Sequence, residues 1–250
     1  MSKIKINLFK ASIVLLGIQI LIGCGTTSDF KSTEELFQAM KTKNDKKWYQ
    51  HFTFKQSTLR FDENGTMTDS TVWYESVSYP YYFRIDRDID QNNYVIFRND
   101  STYNFRQDSL IQATDKPATH LIFKGGLYFI SLEESLDQLK KYNYDPQTFR
   151  KDTLDGQAVY VVGKNDNQFW LHAKDYYCMK RTYTTPSNKK VDVVYGDFKT
   201  LGNGWVEQKV TFYVDGVKRL EEFYFDIEAR NHIDEKTYEI NENFKWYLNH

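Results

Sequence analysis

Apolar and polar side chains alternate with a period of two along most of the chain after residue 48. Near the end, Val210 and Phe212 alternate with Lys209 and Thr211, and Phe223 and Phe225 with Ile227 form the apolar set of the final segment. This pattern is typical of antiparallel strands with one dry and one wet face, and Asn-Gly or Asp-Gly pairs mark several turns. The predicted strands are 48–61, 67–76, 81–87, 94–98, 102–106, 147–154, 158–162, 168–172, 176–183, 191–200, 205–214 and 217–227.

Two segments have helical spacing instead. Ser32-Thr33-Glu34-Glu35 and Ser131-Leu132-Glu133-Glu134 have the form of capping boxes, in which a serine hydroxyl caps the first turn. With no long linker and no internal repeat, the chain is predicted to form one domain over residues 30–250. Its predicted fold class is mainly β (α+β): a large, strongly curved antiparallel sheet of about a dozen strands, with the helices covering its concave face.

The composition restricts the class of protein. The 250 residues carry 33 Lys+Arg against 34 Asp+Glu without a basic block, which argues against a nucleic-acid partner. A mean hydropathy of −0.66 excludes a polytopic membrane protein. An aromatic content of 17% is too high for a disordered chain and suits half-buried strands.

The N-terminus has the form of a secretory signal. Lys3, Lys5 and Lys10 lead into an uncharged, mostly apolar stretch over 11–23. That stretch is shorter than the roughly 20 apolar residues that a membrane-spanning helix needs. The alternative to a signal peptide is an uncleaved anchor.

The end of this stretch predicts lipidation. Leu21-Ile22-Gly23-Cys24 resembles the bacterial lipobox, so residues 1–23 are predicted to be removed and Cys24 to carry the lipid. Residues 24–29 would then form a lipidated tether that holds the protein on a membrane of the cell envelope. Because Gly25 rather than aspartate follows the cysteine, the outer membrane of a Gram-negative bacterium is the expected location.

The sequence has no motif for catalysis or metal binding. It contains no G-x-S-x-G elbow, H-E-x-x-H pair, P-loop or C-x-x-C. The acidic segment Asp86-Arg87-Asp88-Ile89-Asp90 has calcium-loop spacing, but Gln91 and Phe97 stand where such a loop needs glycine and glutamate. Glu207 has no carboxylate partner at a usable spacing. We therefore expect neither an enzyme nor a metal or cofactor site.

Several short motifs occur in a characteristic order between residues 48 and 239. They are Trp48 with Phe52-Thr53-Phe54, then Val159-Tyr160-Val161-Val162-Gly163, Phe169-Trp170-Leu171 and Lys180-Arg181, and finally Tyr195-Gly196-Asp197-Phe198 with Gly202 and Trp205. Their order resembles the bacterial outer-membrane lipoprotein carrier and receptor (LolA/LolB-like) superfamily. The resemblance implies an incomplete antiparallel β-barrel with helices plugging its concave face. The chain departs from the family where Trp205-Val206 replaces a usual proline, and no motif marks Arg60 or Arg84 as the family's lid-contacting arginine.

The leading hypothesis is a non-catalytic, lipid-anchored protein that binds an acyl chain, a lipoprotein or another hydrophobic ligand for transport or sorting. A buried alkyl chain gains about 0.8 kcal/mol per methylene, so its cavity needs apolar walls and a movable cover. The helix with Leu132, Leu136 and Leu139 is the candidate lid. The candidate wall residues are Phe83, Ile96, Val161, Phe212 and Phe225.

Alternation alone does not distinguish a pocket wall from a packed core. The alternative hypothesis is therefore an envelope sensing or scaffolding module on the same fold, with a filled interior and an exposed apolar patch. An envelope hydrolase ranks last because no motif supports it. The sequence leaves the cargo, the partner protein and the oligomeric state open.

Overall fold

A computed structural model describes residues 29–44, 47–240 and 244–249. The predicted signal peptide over 1–23 and the predicted lipidation site Cys24 lie outside these residues. The described chain is mainly β, and thirteen of its strands form one antiparallel sheet. A further pair of short strands forms a separate hairpin.

The elements follow one another in two blocks of strands around a helical interval. The first block is preceded by α1 (Thr33–Asn44) and contains β1 (His51–Phe61), β2 (Met67–Ser78), β3 (Tyr82–Asp88), β4 (Asn93–Arg98), β5 (Ser101–Arg106) and β6 (Ser109–Thr114). The interval holds α2 (His120–Lys124), a 3₁₀ turn (Gly126–Phe129) and α3 (Leu132–Lys141). The second block contains β7 (Phe149–Leu154), β8 (Gln157–Lys164), β9 (Asn167–His172), β10 (Cys178–Thr184), β11 (Lys190–Gly196), β12 (Lys199–Leu201), β13 (Gly204–Val206), β14 (Lys209–Val214) and β15 (Val217–Arg230), followed by 3₁₀ turns at Glu235–Tyr238 and Trp246–Asn249.

The last strand joins the two blocks into one sheet. The strand order is β6-β5-β4-β3-β2-β1-β15-β14-β11-β10-β9-β8-β7, so β15 lies between β14 and β1. Its register places Arg230 opposite His51. Within the described residues, β6 and β7 are the free edges, and the curved sheet stays open. The predicted fold class, a mainly β curved antiparallel sheet with few helices, is confirmed.

Both predicted helix starts are capped by serine. The Ser32 hydroxyl accepts a hydrogen bond from the Glu35 amide at 3.2 Å, and the Ser131 hydroxyl accepts one from the Glu134 amide at 3.0 Å. The two helices and α2 pack on the same face of the sheet, which we call the inner face. This face carries the main hydrophobic core, to which α1 contributes Leu36, Phe37 and Met40.

The opposite, outer face is partly covered by the C-terminal segment after β15. The Tyr238 hydroxyl lies 2.9 Å from the hydroxyls of both Ser76 and Ser78, which point outward from β2. Beside it, Arg84 and Asp86 form a buried ion pair with an N–O distance of 2.9 Å. These contacts attach the C-terminal segment across β2 and β3.

Three elements differ from the sequence prediction. Strand β6 was not predicted, because most of its side chains are exposed and give no alternation. Helix α2 has only five residues, too few for a helical period to show. The predicted strands 191–200 and 205–214 are each divided, since β12 and β13 leave the large sheet to form their own hairpin.

A β-bulge reverses the expected alternation in β15. Thr53 pairs with Glu228 and Lys55 pairs with Phe225. Phe54, between them on β1, therefore lies opposite two residues of β15, Asp226 and Ile227. Asp226 has a φ of 49° there. Before the bulge it is Glu222 and Tyr224 that point to the inner face, which leaves Phe225 facing outward.

Candidate functional site

The inner face encloses a cavity of about 290 Å³ under α2. One wall comes from β1, β2 and β3, and the opposite wall comes from β10, β11, β14 and β15, because the curvature of the sheet turns these strands toward each other. Apolar and charged side chains alternate around it. The cavity is lined by Gln56, Trp73, Glu75, Phe83, Ile85, Thr119, His120, Lys124, Arg181, Tyr183, Tyr195, Val210, Phe212, Glu222 and Tyr224.

A buried ion pair holds α2 over the cavity. Lys124 is the last residue of this helix, and its Nζ lies 2.5 Å from Oε1 of Glu207, with side-chain exposures of 11% and 7%. Lys124 Nζ also donates to the Tyr224 hydroxyl at 2.7 Å, which in turn donates to Glu222 Oε2 at 3.0 Å. The chain of contacts thus connects α2 to β15 and to the segment between β13 and β14.

Burial controls the protonation of the remaining groups. It raises the pKa of Glu222 to about 6, an effect that Lys124 opposes. Burial, reinforced by the neighbouring Glu222, raises the pKa of Glu75 well above its usual range. Burial together with Lys124 and Arg181 lowers the pKa of His120 well below its usual range. At neutral pH His120 is therefore uncharged, and the surroundings of Glu75 favour its protonated form.

Arg181 is the second cation of the cavity. It points inward from β10 with 6% exposure. Its guanidinium lies 5.6 Å from the ring centroid of Phe123 on α2 and 5.1 Å from that of Tyr183. These are cation–π distances, so α2 carries one cation of the cavity, Lys124, and contacts the other through the ring of Phe123.

The structure brings two of the five predicted wall residues to this cavity, namely Phe83 and Phe212. Ile96 packs on the outer face with the C-terminal segment, and Val161 belongs to a small outer cluster with Val159 and Met179. Phe225 is 38% exposed because of the bulge.

The predicted lid helix is α3, and its leucines lie elsewhere in the core. Leu139 is fully buried, while Leu132 and Leu136 pack partly buried against the main core. None of the three lines the cavity, whose cover is formed by Thr119 and α2. Arg84 lies on the outer face, away from any helix of the inner face.

The charged groups of the site are the part that sequence reasoning missed. Glu207 pairs with Lys124, which comes 83 positions earlier in the numbering, and no spacing rule connects them. Only a weak signal was present in the sequence: Lys124 ends the apolar run Leu121-Ile122-Phe123, and Glu222 comes directly before the aromatic run Phe223-Tyr224-Phe225.

The described residues contain no group of three or more His, Cys, Asp or Glu side chains placed to hold a metal ion. They also contain no helix with the length and apolar character needed to cross a membrane.

Comparison with solved structures shows which proteins share this fold. A LolA superfamily protein from Nitrosomonas europaea is similar with a TM-score of 0.56 and 12% identity, over 84% of this chain and 99% of that one. A DUF1329 family protein from Desulfovibrio piger gives a TM-score of 0.58 at 12% identity, over 84% and 98% of the two chains. A putative outer membrane lipoprotein-sorting protein domain from Vibrio parahaemolyticus gives 0.57 at 11% identity, over 84% and 97%.

Comparison of the sequence with family models and with curated proteins gives no match. At identities of 11–12%, the likeness establishes the LolA-like fold and leaves the function to be argued from the site.

Proposed function

We propose that this protein is a carrier or receptor that binds a hydrophobic or amphiphilic ligand, without catalysis, in the inner-face cavity under α2. The observation that carries the proposal is the cavity of about 290 Å³ on the inner face, between the two halves of the curved sheet, each of which contributes apolar side chains to its wall. The LolA-like fold supports it, since one protein with this fold is described as lipoprotein-sorting.

The walls and the cover have the properties that such binding needs. Phe83 and Ile85 face Val210 and Phe212 across the cavity, and each methylene of a ligand buried there gains about 0.8 kcal/mol. The cover is a helix of five residues whose polar attachment to the far wall is the Lys124–Glu207 pair. Opening this cover would break the Lys124–Glu207 pair and expose Leu121, Ile122 and Phe123, while the strands of the sheet stay paired.

A lipid on Cys24 would keep this carrier at the membrane of the cell envelope. The proposal follows from the lipobox-like segment before Cys24 and from the fold. The full chain should incorporate a palmitate analogue in a bacterial host, and Cys24→Ser should abolish the labelling. Equal labelling of both proteins would contradict it.

Ligand binding is tested on the purified full chain with Cys24→Ala, which removes covalently attached lipid. Mass spectrometry should find co-purified lipid, and the fluorescent fatty acid cis-parinaric acid should bind. Val210→Phe, at a buried wall position, should fill the cavity and lower binding, while Val72→Phe, at a position 49% exposed on the outer face, should not. Absence of both co-purified lipid and probe binding would refute the proposal.

One observation favours the alternative, an interaction module. On the outer face, Phe223 lies across Ser57 from Val72, and these two apolar side chains are 36% and 49% exposed. Phe225, at 38%, extends the row. Such a patch could contact another protein of the envelope. Loss of a co-purifying protein on Phe223→Ser, with ligand binding unchanged, would support this function.

A further inference from the structure

The inner-face cavity contains a second buried cation besides Lys124. Arg181 takes part in no ion pair among the described residues, and its Nε has no hydrogen-bond partner there. Removing a charge from water is costly unless an anion or several acceptors replace the water. The rings of Phe123 and Tyr183 compensate only part of that cost.

Two further polar atoms of the cavity are buried without a partner in the described chain. They are the Tyr195 hydroxyl and Oε1 of Glu75. Arg181 on β10 pairs with Val193 on β11, so Tyr195, two residues further along β11, is its diagonal neighbour on the same face. Arg181 and Tyr195 both bring hydrogen-bond donors to this part of the cavity, and Glu75 lies on the opposite wall.

The other charged groups of the cavity are already paired. Lys124 neutralises Glu207 at 2.5 Å. Glu222 accepts a hydrogen bond from Tyr224 at 3.0 Å and lies in the field of Lys124. Arg181 is therefore the cation of the cavity that has no carboxylate within ion-pair distance among the described residues, and its surroundings are aromatic.

We propose that Arg181 and Tyr195 bind the anionic head group of a single-chain amphiphile, a carboxylate or a phosphate monoester, whose alkyl chain lies between Phe83 and Phe212. A guanidinium binds both kinds of anion through charge-assisted hydrogen bonds. The volume of about 290 Å³ is at the lower end for ligand pockets, so one alkyl chain fits better than several. This inference rests on the proposed carrier function and narrows its ligand class.

The test compares two probes with the same alkyl chain, one with a charged carboxylate and one with a neutral methyl ester. The full chain with Cys24→Ala is titrated with cis-parinaric acid and with its methyl ester, and fluorescence gives both dissociation constants. We expect the acid to bind about ten to a hundred times more tightly than the ester, as a charge-assisted bond to a buried group implies. Competition by oleate and by oleoyl lysophosphatidate then identifies the preferred head group.

Variants of Arg181 separate head-group binding from a structural role. Arg181→Met should remove the preference for the acid and leave ester binding within about twofold, while its melting temperature stays at or above that of the parent because a buried charge is gone. Arg181→Lys should keep part of the preference, and Arg150→Met, at an exposed β7 position, should keep all of it.

Three results would overturn the inference. They are equal binding of acid and ester by the parent protein, an unchanged preference in Arg181→Met, and an equal loss of both probes in that variant. Failure of the parent to bind either probe, with no co-purified lipid, would instead refute the carrier function itself. The two proposals therefore fail in distinguishable ways.

Discussion

The ion pair that holds α2 gives the sharpest stability prediction. Lys124→Met keeps most of the apolar stem of the side chain but removes the ammonium group that contacts Glu207 and Tyr224. Glu207, 5% exposed, is then left as a buried carboxylate without its cation. The variant thus tests whether the cover of the cavity is attached by charge or by packing alone.

The expected magnitude follows from the distance and the burial. At 2.5 Å and an effective dielectric constant of about 20, the attraction is roughly 6–7 kcal/mol before desolvation is subtracted. Removing one partner of a buried pair typically costs about 3–5 kcal/mol, because the other charge stays desolvated. Since ΔG of unfolding is commonly about 5–15 kcal/mol, Lys124→Met should lose a large part of it.

Urea unfolding followed by tryptophan fluorescence measures this loss. Lys140→Met is the matched control, since Lys140 pairs with Asp137 at 3.0 Å but both side chains are at least 60% exposed, and it should cost about 0.5 kcal/mol or less. The double variant Lys124→Met/Glu207→Gln should be more stable than the sum of the two single losses predicts. A loss below about 1 kcal/mol in Lys124→Met, or strict additivity, would refute the reasoning.

Three further variants test other parts of the structure. Burial raises the pKa of Glu222 from 4.5 to about 6, so between these pH values the folded state holds a proton that the unfolded state has released. The free energy of unfolding of the parent should therefore fall by about 2 kcal/mol as the pH rises from below 4.5 to above 6. Glu222→Gln should therefore be more stable than the parent at pH 8 and equal to it at pH 4, and the same difference at both would contradict this. Gly163→Ala should lower the free energy of unfolding by at least about 2 kcal/mol, because the φ of Gly163 is 96° and a Cβ there would lie 2.2 Å from a carbonyl oxygen. The control Gly216→Ala, where φ is 82° and the space is open, should lose only about 1 kcal/mol. Equal losses of the two variants in urea unfolding would contradict the steric clash. Tyr238→Phe removes the hydroxyl that lies between Ser76 and Ser78, and in urea unfolding it should lower the free energy of unfolding by about 1–3 kcal/mol. An unchanged free energy of unfolding would contradict a stabilising role of these hydrogen bonds.

The sheet was predictable from the sequence because its physical cause is local. A strand with one buried face shows period-two alternation, as at Val210 and Phe212, and both serine-capped helices show their capping residues. Where the cause is not local the prediction failed. An exposed edge such as β6 buries too little to leave a pattern, and the bulge at Asp226 reverses the inward face within one strand.

The chemistry of the cavity was not predictable from the sequence. Its charged groups come from β2, α2, β10, β15 and the segment after β13, and only the curvature of the sheet brings them together. Lys124 and Glu207 look like ordinary surface residues in the sequence. The wall residues Phe83 and Phe212 could be predicted because they belong to the period-two pattern of their strands, whereas an ion pair between distant segments leaves no such pattern.

The central position of β15 has a consequence for the order of folding. Hairpins β1 to β6 and β7 to β11 pair neighbours in the chain and can form early, but the seam between β1 and β15 joins His51 to Arg230. Until Val217–Arg230 emerges, β1 and β14 are unpaired edges and the inner face has two separate halves. A nascent chain that ends before β15 should therefore expose two strand edges with unpaired backbone groups, which favour aggregation, and should not form a smaller folded domain. The inner-face cavity is completed only when β15, the last strand of the described residues, pairs with β1.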